Sequence, residues 1–277
     1  MSAGTLPEVR NLQFAVGDQI PRYWHGGRKS VTLFFNNLSV FFPVGERFFI
    51  ASMKAHKDAI RDPKLAAEAR AFFAQEGIHS REHVRYNAML RDQGYPVEAM
   101  ELRVDKLLKL VTKLTPTRMQ LGVTCALEHF TALMADLLLG DDNKLLEGAD
   151  PVMARLWRWH AAEENEHKAV AFDVFKAAGG TYPERVWTII GATLIFWAKV
   201  LEHQARMMKA DGLLFNFKEW RALGRFLFVS PGGLGRLVPT YFSYYRPSFH
   251  PWDHDNTAEL EAWKLEIENA PEYGRVA

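Results

Sequence analysis

The chain has 277 residues, which is enough for one domain with a sizeable hydrophobic core. Apolar residues make up 48% of it and charged residues 24%, which excludes a disordered, collagen-like or low-complexity protein. The formal net charge of +1 argues against a nucleic-acid partner, because such proteins need a basic surface to neutralise phosphates. The single cysteine, Cys125, excludes a disulfide framework and a thiolate zinc site, so any metal must be held by histidine and carboxylate ligands.

The N-terminal residues contain no continuous apolar stretch of the kind found in signal peptides. The most apolar stretch, 186–201, contains Lys199 and is shorter than the roughly 20 residues that a membrane span needs. We interpret it as a buried core helix. These features predict a cytoplasmic protein, and they leave open a peripheral contact with the inner membrane.

Recurrent prolines and glycines divide the chain into segments. An N-cap residue followed by proline is typical of the start of a helix, and a glycine is typical of its end. The pattern predicts helical segments over 63–94, 97–114, 116–140, 151–178 and 183–212, and a short amphipathic helix over 258–269. The first apolar segment, 30–60, contains Pro43, so either a helix begins there or a longer helix bends there.

No segment alternates polar and apolar residues as strands do, so we predict an all-α protein. Long helices with short connections favour an antiparallel four-helix bundle with additional helices. We expect one domain over 1–277, with a core bundle at about 30–212 and a C-terminal extension at about 213–277. Beyond residue 228 we expect an ordered, aromatic-rich loop, whose histidines and aspartates are more typical of caps than of a second metal site.

Two Glu-x-x-His motifs, Glu76 to His79 and Glu164 to His167, lie in the middle of long predicted helices with apolar surroundings. Residues three apart share a helical face, so each motif can hold a metal ion between a carboxylate and an imidazole. A glutamate on an inward face is costly unless it is paired or binds a metal. The alternative for both motifs is a solvated helix face.

Two isolated glutamates, Glu46 and Glu128, also lie in apolar stretches, so four successive helices offer Glu, Glu-x-x-His, Glu and Glu-x-x-His. This order is similar to the ligand set of ferritin-like proteins with a carboxylate-bridged dinuclear site. Four carboxylates balance the charge of two divalent cations, and oxygen and imidazole ligands suit iron or manganese. We therefore expect two iron ions, with two manganese ions or a mixed pair as alternatives. The position of Pro43 leaves the helical face of Glu46 open.

His160 precedes Glu164 by four residues and His167 by seven, so these three side chains share one helical face. The run His160-x-x-x-Glu164-x-x-His167 resembles the aryl-amine N-oxygenases of the p-aminobenzoate oxygenase type. That resemblance implies a third imidazole ligand, and a buried core histidine is the alternative for His160. His83, seven residues after Glu76, is interpreted as a supporting or surface residue rather than as a ligand. Three further glutamates are expected to be solvated: Glu82, Glu163 and Glu166.

Five segments spread over residues 7–256 resemble a bacterial family of predicted metal-dependent hydrolases. They read PVGERFF, EGIHSREH, ALEHFTA, WHAAEENEHKAVAFDV and RPSFHPWDHDN. The family name implies a hydrolase, whereas the ligand pattern is more typical of a ferritin-like di-iron site.

We therefore predict a di-iron oxygenase or oxidase that uses O₂ and an electron donor to oxidise a small apolar or aromatic molecule. The first alternative is a hydrolase with a metal-bound water and a free glutamate such as Glu163 as base. The second is a non-catalytic helical protein that docks on a membrane or a protein through 186–201 and 213–228. A homodimer is left open. The predicted catalytic and metal-binding residues are Glu46, Glu76, His79, Glu128, His160, Glu164 and His167.

An apolar substrate needs an apolar pocket, and aromatic residues are concentrated next to the predicted ligands. The residues expected to line this pocket are Phe41, Phe42, Phe48, Phe49, Phe72, Phe73 and Trp159.

Overall fold

The structure is a computed structural model that describes residues 6–140 and 144–269. The described residues form helices and no β-strand, with isolated bridge residues only, such as the pair His25 and Ala149, which confirms the prediction of an all-α protein. The α-helices in this part of the chain are α1 Lys29–Lys54, α2 Pro63–Asp92, α3 Val97–Leu114, α4 Thr117–Leu139, α5 Pro151–His167, α6 Val170–Ala177, α7 Tyr182–Ala210, α8 Phe217–Phe228, α9 Gly233–Ser243 and α10 Thr257–Asn269.

The helix ends follow local sequence chemistry closely. Asp62 Oδ1 accepts a hydrogen bond from the backbone of Lys64, so it caps α2, and Asp150 caps α5 in the same way. Thr181 forms a reciprocal capping box with Glu184 at the start of α7. After α2, Gly94 adopts a φ of 88°, a conformation that is costly for any residue with a Cβ atom.

Four helices form the centre of the bundle, since α1 packs along α2 and α4 packs along α5. The other long helices flank them: α3 lies against α1, and α7 lies against both α1 and α4. The short helices α8 and α9 contact each other and cover α1 and α4, while α10 packs on α5. This arrangement is the predicted helical bundle with additional helices.

Pro43 does not begin a helix but lies inside α1, which is continuous from Lys29 to Lys54. A proline has no N–H, so the carbonyl of Ser39, four residues earlier, loses its usual helical partner. Asn87 on α2 donates a hydrogen bond from Nδ2 to that carbonyl at 3.4 Å. The polar contact between α1 and α2 thus compensates for the proline, three residues before Glu46.

Three predicted features differ in the structure. The helix expected over 151–178 is interrupted at Lys168 and Ala169, where the buried ammonium of Lys168 donates to the C-terminal segment at His254 O and Asn256 Oδ1. The aromatic-rich loop expected after residue 228 contains a further helix, α9, because Gly233 to Ser243 pack against α4 and α8.

The third difference concerns 186–201, which we interpreted as a buried core helix. By length and composition α4 and α7 are both apolar enough to cross a membrane, but 61% of the α4 window is buried against 28% of the α7 window. Trp187 and Leu194 on α7 expose 67% and 68% of their surface. α4 is therefore a core helix, and α7 is a flanking helix with an open apolar stripe.

Candidate metal centre

The seven predicted site residues lie on the four central helices, and each of them is 3% exposed or less. α1 contributes one carboxylate and α4 another, whereas α2 and α5 contribute the Glu-x-x-His motifs. Their facing sides meet in the middle of the bundle because α1 packs on α2 and α4 on α5. The residues are Glu46, Glu76, His79, Glu128, His160, Glu164 and His167.

The side chains form two adjoining clusters and a third group, Glu76, His79 and Glu164, that spans them, and within each the ligand atoms lie within 4.8 Å of one another. The first cluster consists of Glu46, His79 and His160. The second cluster consists of Glu76, Glu128 and His167, in which His167 Nε2 lies 3.4 Å from Glu76 Oε1 and 3.5 Å from Glu128 Oε2. Each cluster combines imidazole with carboxylate, a donor set that suits divalent first-row metals.

Glu76 and Glu164 lie between the clusters, with one oxygen toward each. Glu76 Oε1 lies 3.4 Å from His167 Nε2, while its Oε2 lies 3.9 Å from His79 Nδ1. Glu164 Oε1 lies 3.6 Å from His79 Nδ1 and its Oε2 lies 3.6 Å from His167 Nε2. Two carboxylates arranged in this way can bridge a pair of metal ions.

Many oxygens and nitrogens that face this centre have no hydrogen-bond partner, although buried polar atoms are normally satisfied. Burial raises the pKa values of Glu46, Glu76 and Glu128 well above the usual range of a carboxyl group. Divalent cations would satisfy these atoms and balance the four carboxylates, so the residues present fit a pair of metal ions. The unpaired atoms are Glu46 Oε1, both oxygens of Glu76 and of Glu128, His79 Nδ1, Glu164 Oε2 and His167 Nε2.

Hydrogen bonds outside the centre determine which imidazole nitrogen carries a proton. Burial raises the pKa of Glu163, but the nearby Arg10 opposes this shift, and in the ionised form Glu163 Oε2, 3.1 Å from His79 Nε2, accepts the Nε2 proton. The other nitrogen, Nδ1, therefore presents a lone pair to Glu76 and Glu164. Burial lowers the pKa of His79 well below its usual value, which favours this neutral form.

His167 is oriented by a hydrogen bond to Gln75, whose other hydrogen bonds determine which of its amide atoms faces the histidine. The amide Nε2 of Gln75 donates to Glu166 Oε2 at 3.0 Å and to the carbonyl of Glu8 at 3.1 Å. The amide oxygen of Gln75 must then be the atom that lies 3.0 Å from His167 Nδ1, and it accepts that proton. The lone pair of His167 Nε2 consequently faces the second cluster.

His160 is oriented by a chain of buried groups that reaches back to α1. The hydroxyl of Ser39 donates its single proton to Asn87 Oδ1, so it can only accept from His83 Nδ1, 2.8 Å away. His83 Nε2 then accepts from His160 Nδ1 at 2.7 Å. The lone pair of His160 Nε2 thus points at Glu164 Oε1, 2.8 Å away, and this close pair requires a cation or a proton between its atoms.

The expectation that Glu82, Glu163 and Glu166 are solvated is wrong, since they are 0%, 0% and 3% exposed. The N-terminal segment contacts all three, since Arg10 also lies 3.6 Å from Glu163. Arg10 makes a bidentate ion pair with Glu166, and the backbone N–H of Phe14 donates to Glu82 Oε2 at 3.1 Å. The packing of residues 8–14 on α2 and α5 is not evident from the sequence, because it depends on contacts between residues more than 60 positions apart.

Two apolar cavities reach the centre from the protein surface. The larger, with a volume of about 260 Å³, is bounded by α1, α3, α4 and α7 and ends at Glu46. The smaller, about 60 Å³, is covered by α8 and α9 and ends at His160 and Glu164. Both are lined by Phe42, so they lie next to each other at the first cluster.

Only part of the predicted aromatic pocket lines these cavities: Phe41, Phe42 and Phe49 do. The rings of Phe72 and Trp159 instead pack on the ligands, with centroids 4.7 Å from His167 and 4.9 Å from His79. Phe48 and Phe73 line neither cavity and pack in a hydrophobic cluster that also includes Phe49 and Phe72. The sequence did not distinguish these roles, because all seven aromatic residues lie within a few positions of a predicted ligand along the chain.

The histidines and aspartates of the C-terminal segment act as predicted for caps. His250 and Asp253 form a capping box around a short 3₁₀ helix, and His254 pairs with Asp136. No cluster with metal-ligand geometry was found there among the described residues.

Residues 8–255 match the family model described as predicted metal-dependent hydrolase. The chain belongs to this family. No curated protein and no solved structure matches the chain. The expected similarity to ferritin-like proteins and to aryl-amine N-oxygenases therefore stays a prediction.

Membership of a metal-dependent hydrolase family contradicts the prediction of a di-iron oxygenase and agrees better with the hydrolase alternative. The physical reason for the error is that ligand type does not specify the reaction. Carboxylate and imidazole ligands accept iron, manganese and zinc, and the same pair of ions can serve redox or hydrolytic chemistry. The pattern therefore predicts candidate metal ligands and does not specify the chemistry.

Proposed function

We propose that the protein is a hydrolase with two divalent metal ions that cleaves a carboxylic ester or amide with an apolar acyl group. The observation that carries the proposal is the position of Glu76 and Glu164, each of which offers one oxygen to either cluster. Divalent ions held there supply Lewis-acid polarisation of the scissile carbonyl and lower the pKa of water.

The three imidazoles serve this function by offering lone pairs in fixed directions. Glu163, Gln75 and His83 hold the outer nitrogens of His79, His167 and His160 respectively. Such outer partners fix the tautomer and ring orientation of a ligand, so little reorganisation accompanies metal binding.

Glu163 is unsuited to the role of free general base that the sequence suggested for it. Its Oε2 is bound to His79 and its Oε1 accepts from Trp159 Nε1 at 2.9 Å. Glu46 is better placed, because its Oε2 accepts from Ser80 at 2.6 Å while Oε1 is unpaired and the side chain lines the larger cavity. We assign to Glu46 Oε1 the proton released by the attacking water, so in this proposal the first ion is held by His79, His160 and the oxygens of Glu76 and Glu164 that face them.

The cavity walls favour a carboxylic ester or amide over a phosphate ester. Among the described residues that line the larger cavity the single cation is Lys199, which is already paired with Glu202 at 2.7 Å. A phosphoryl group needs arginine or lysine to balance its charge, whereas an acyl chain fits walls of phenylalanine, leucine and methionine.

The test combines metal analysis with hydrolysis of p-nitrophenyl esters from acetate to dodecanoate, assayed without oxygen. We expect about two manganese, iron or zinc ions per chain and hydrolysis that stops after chelation and returns with metal. The variant Glu164→Ala/His167→Ala should lose metal and at least roughly 100-fold in activity. The matched control is His129→Gln, since this histidine is buried next to Glu128 in sequence but its ring lies 4.7 Å from Tyr244.

Metal-loaded protein that cleaves neither esters nor the corresponding amides contradicts the proposal. Unchanged hydrolysis in Glu164→Ala/His167→Ala contradicts it too, because the activity then arises elsewhere. Metal-free preparations of wild type and of the His129→Gln variant should retain their helix content, which circular dichroism monitors.

A further inference from the structure

The surface formed by α8 and α9 differs in charge from the rest of the molecule. Residues 213–249 contain five basic side chains and a single acidic one, a net charge of +4 in a chain whose total is +1. The acidic residue, Glu219, points inward and accepts a hydrogen bond from the backbone of Ser30 at 3.2 Å. The basic residues are Lys218, Arg221, Arg225, Arg236 and Arg246.

One face of α8 combines these cations with aromatic rings. Phe217 and Phe228 expose 79% and 63% of their surface. At 100° per residue they lie with Lys218, Arg221 and Arg225 within about 100° of the helix circumference. Within the described residues none of these three cations has a carboxylate within salt-bridge distance, so their charge faces solvent unbalanced.

The neighbouring helix α9 extends the apolar part of this surface. Phe242 exposes 61% and Val238 exposes 50%, and both line a shallow open depression together with Phe228. Helices that lie in a membrane interface typically combine exposed aromatic side chains with unpaired cations, as this surface does. The α8–α9 face is defined here as Phe217, Lys218, Arg221, Arg225, Phe228, Val238 and Phe242.

We propose that the α8–α9 face docks the protein on a bilayer that contains anionic phospholipid. Basic residues near such a surface are attracted by its negative potential, and exposed phenylalanines gain by insertion into the boundary with the acyl chains. A second copy of the chain is a poorer partner, because a symmetric contact would bring two segments of charge +4 together.

Docking would also place lipid next to a route into the protein. The buried side of the same helices, through Phe226, Leu227 and Leu234, covers the smaller cavity that ends at His160 and Glu164. If the hydrolase proposal holds, an apolar acyl substrate can pass from the bilayer toward the centre without crossing water. The docking itself does not depend on that proposal, and its test measures binding alone.

The test is co-sedimentation of the full chain with vesicles of phosphatidylcholine alone or with roughly 30 mol % phosphatidylglycerol. We expect the protein to bind the anionic vesicles. Binding should be at least about ten-fold weaker to neutral vesicles, and at least about ten-fold weaker to anionic vesicles in high salt. Two variants address the two contributions, Arg221→Gln/Arg225→Gln for charge and Phe228→Ser/Phe242→Ser for insertion. Each should weaken binding about ten-fold or more, since each removes two exposed side chains from the face.

The matched control is Trp187→Ser/Leu194→Ser on α7, whose side chains are as exposed as the phenylalanines. The cations beside that stripe, Lys199 and Arg206, are both paired with Glu202, so we expect vesicle binding to be retained. Thermal unfolding midpoints are to be measured for all variants, to check that each of them is folded. Equal binding to both vesicle types, or an equal loss in the α7 control, overturns the proposal. So does a dimer in solution that Phe228→Ser/Phe242→Ser converts to monomer without any vesicle binding, because a second copy then covers the face.

Discussion

His83 Nε2 lies 2.7 Å from His160 Nδ1, and this contact links two buried histidines whose positions differ by 77 residues. Because the Ser39 hydroxyl donates its only proton to Asn87, His83 carries its proton on Nδ1 and accepts from His160 Nδ1 through Nε2. The lone pair of His160 therefore lies on Nε2, which faces the centre. A side chain on α1 thereby determines how a side chain on α5 presents its lone pair. Both ring nitrogens of His83 are bound, Nδ1 to Ser39 and Nε2 to His160, so neither is free to be a ligand of the same cluster. His83 is therefore a positioning residue.

Replacement of His83 by phenylalanine should weaken metal binding at the first cluster. The ring is retained, but no acceptor remains for His160 Nδ1, so His160 can adopt the other tautomer or rotate. Loss of an outer partner typically costs about 10–100-fold in metal affinity. Metal titration should therefore give one tight and one weakened ion per chain, and two unchanged affinities would contradict the assigned role.

The variant Glu163→Gln tests the tautomer of His79 with almost no change in shape. Trp159 Nε1 can only donate, so the amide oxygen of the new glutamine must face it and the amide NH₂ must face His79 Nε2. His79 is then forced to carry its proton on Nδ1, toward the metal. We expect metal affinity at the first cluster to fall about 10–100-fold.

The control for this variant is Glu82→Gln, because Glu82 is equally buried and binds the N-terminal segment but contacts no ligand histidine. Isothermal titration with manganese or zinc measures both variants. Similar affinities for Glu163→Gln and Glu82→Gln would show that the carboxylate does not orient His79.

The volume of the larger cavity should limit the length of the acyl chain. A Cβ atom added at Gly191 would have no neighbour within 4 Å, and this glycine lines the cavity. The variant Gly191→Leu should lower kcat/KM for dodecanoate esters about ten-fold and leave acetate esters unchanged. Ala198→Leu on the exposed side of α7 is the control, and an equal effect on both ester lengths would contradict this assignment of the cavity.

The stability of the protein should fall in mild acid because several buried histidines resist protonation. Burial lowers the pKa of His203 to about 4, and neither of its ring nitrogens has a hydrogen-bond partner. Between this value and an unfolded value near 6.5 the unfolded chain binds more protons, so stability decreases as pH decreases. Integrating this difference in proton binding from pH 7 to pH 5 gives a decrease of about 2 kcal/mol in the free energy of unfolding that is due to this histidine.

Urea unfolding at the two pH values measures this contribution. The variant His203→Leu, whose side chain stays next to Phe41, should show a smaller loss between pH 7 and pH 5 than the wild type. An equal loss in the variant would mean that the ring is protonated in the folded state as readily as in the unfolded chain.

The sequence was sufficient for features that depend on neighbouring residues. The Asp-Pro pairs at 62–63 and 150–151 predicted the starts of α2 and α5, and Pro183 predicted that of α7 to within one residue, because caps and first-turn prolines act on the neighbouring backbone. The two Glu-x-x-His motifs predicted shared faces for the same reason, since a helix brings residues three apart together. The division of 151–178 into α5 and α6 was missed, because it involves the contacts of Lys168 with the distant C-terminal segment.

The polar groups around the centre are brought together by the packing of distant helices. Gln75 was not singled out and Glu163 was expected to be solvated, yet each controls a histidine on another helix, 92 and 84 positions away. An all-α chain with inward carboxylates and imidazoles is predictable from the order of the residues, because helical periodicity is local. The rotation and packing of α1, α2, α4 and α5 determined that Glu76 and Glu164 stand between two clusters, because that relation exists only once the four helices are in contact.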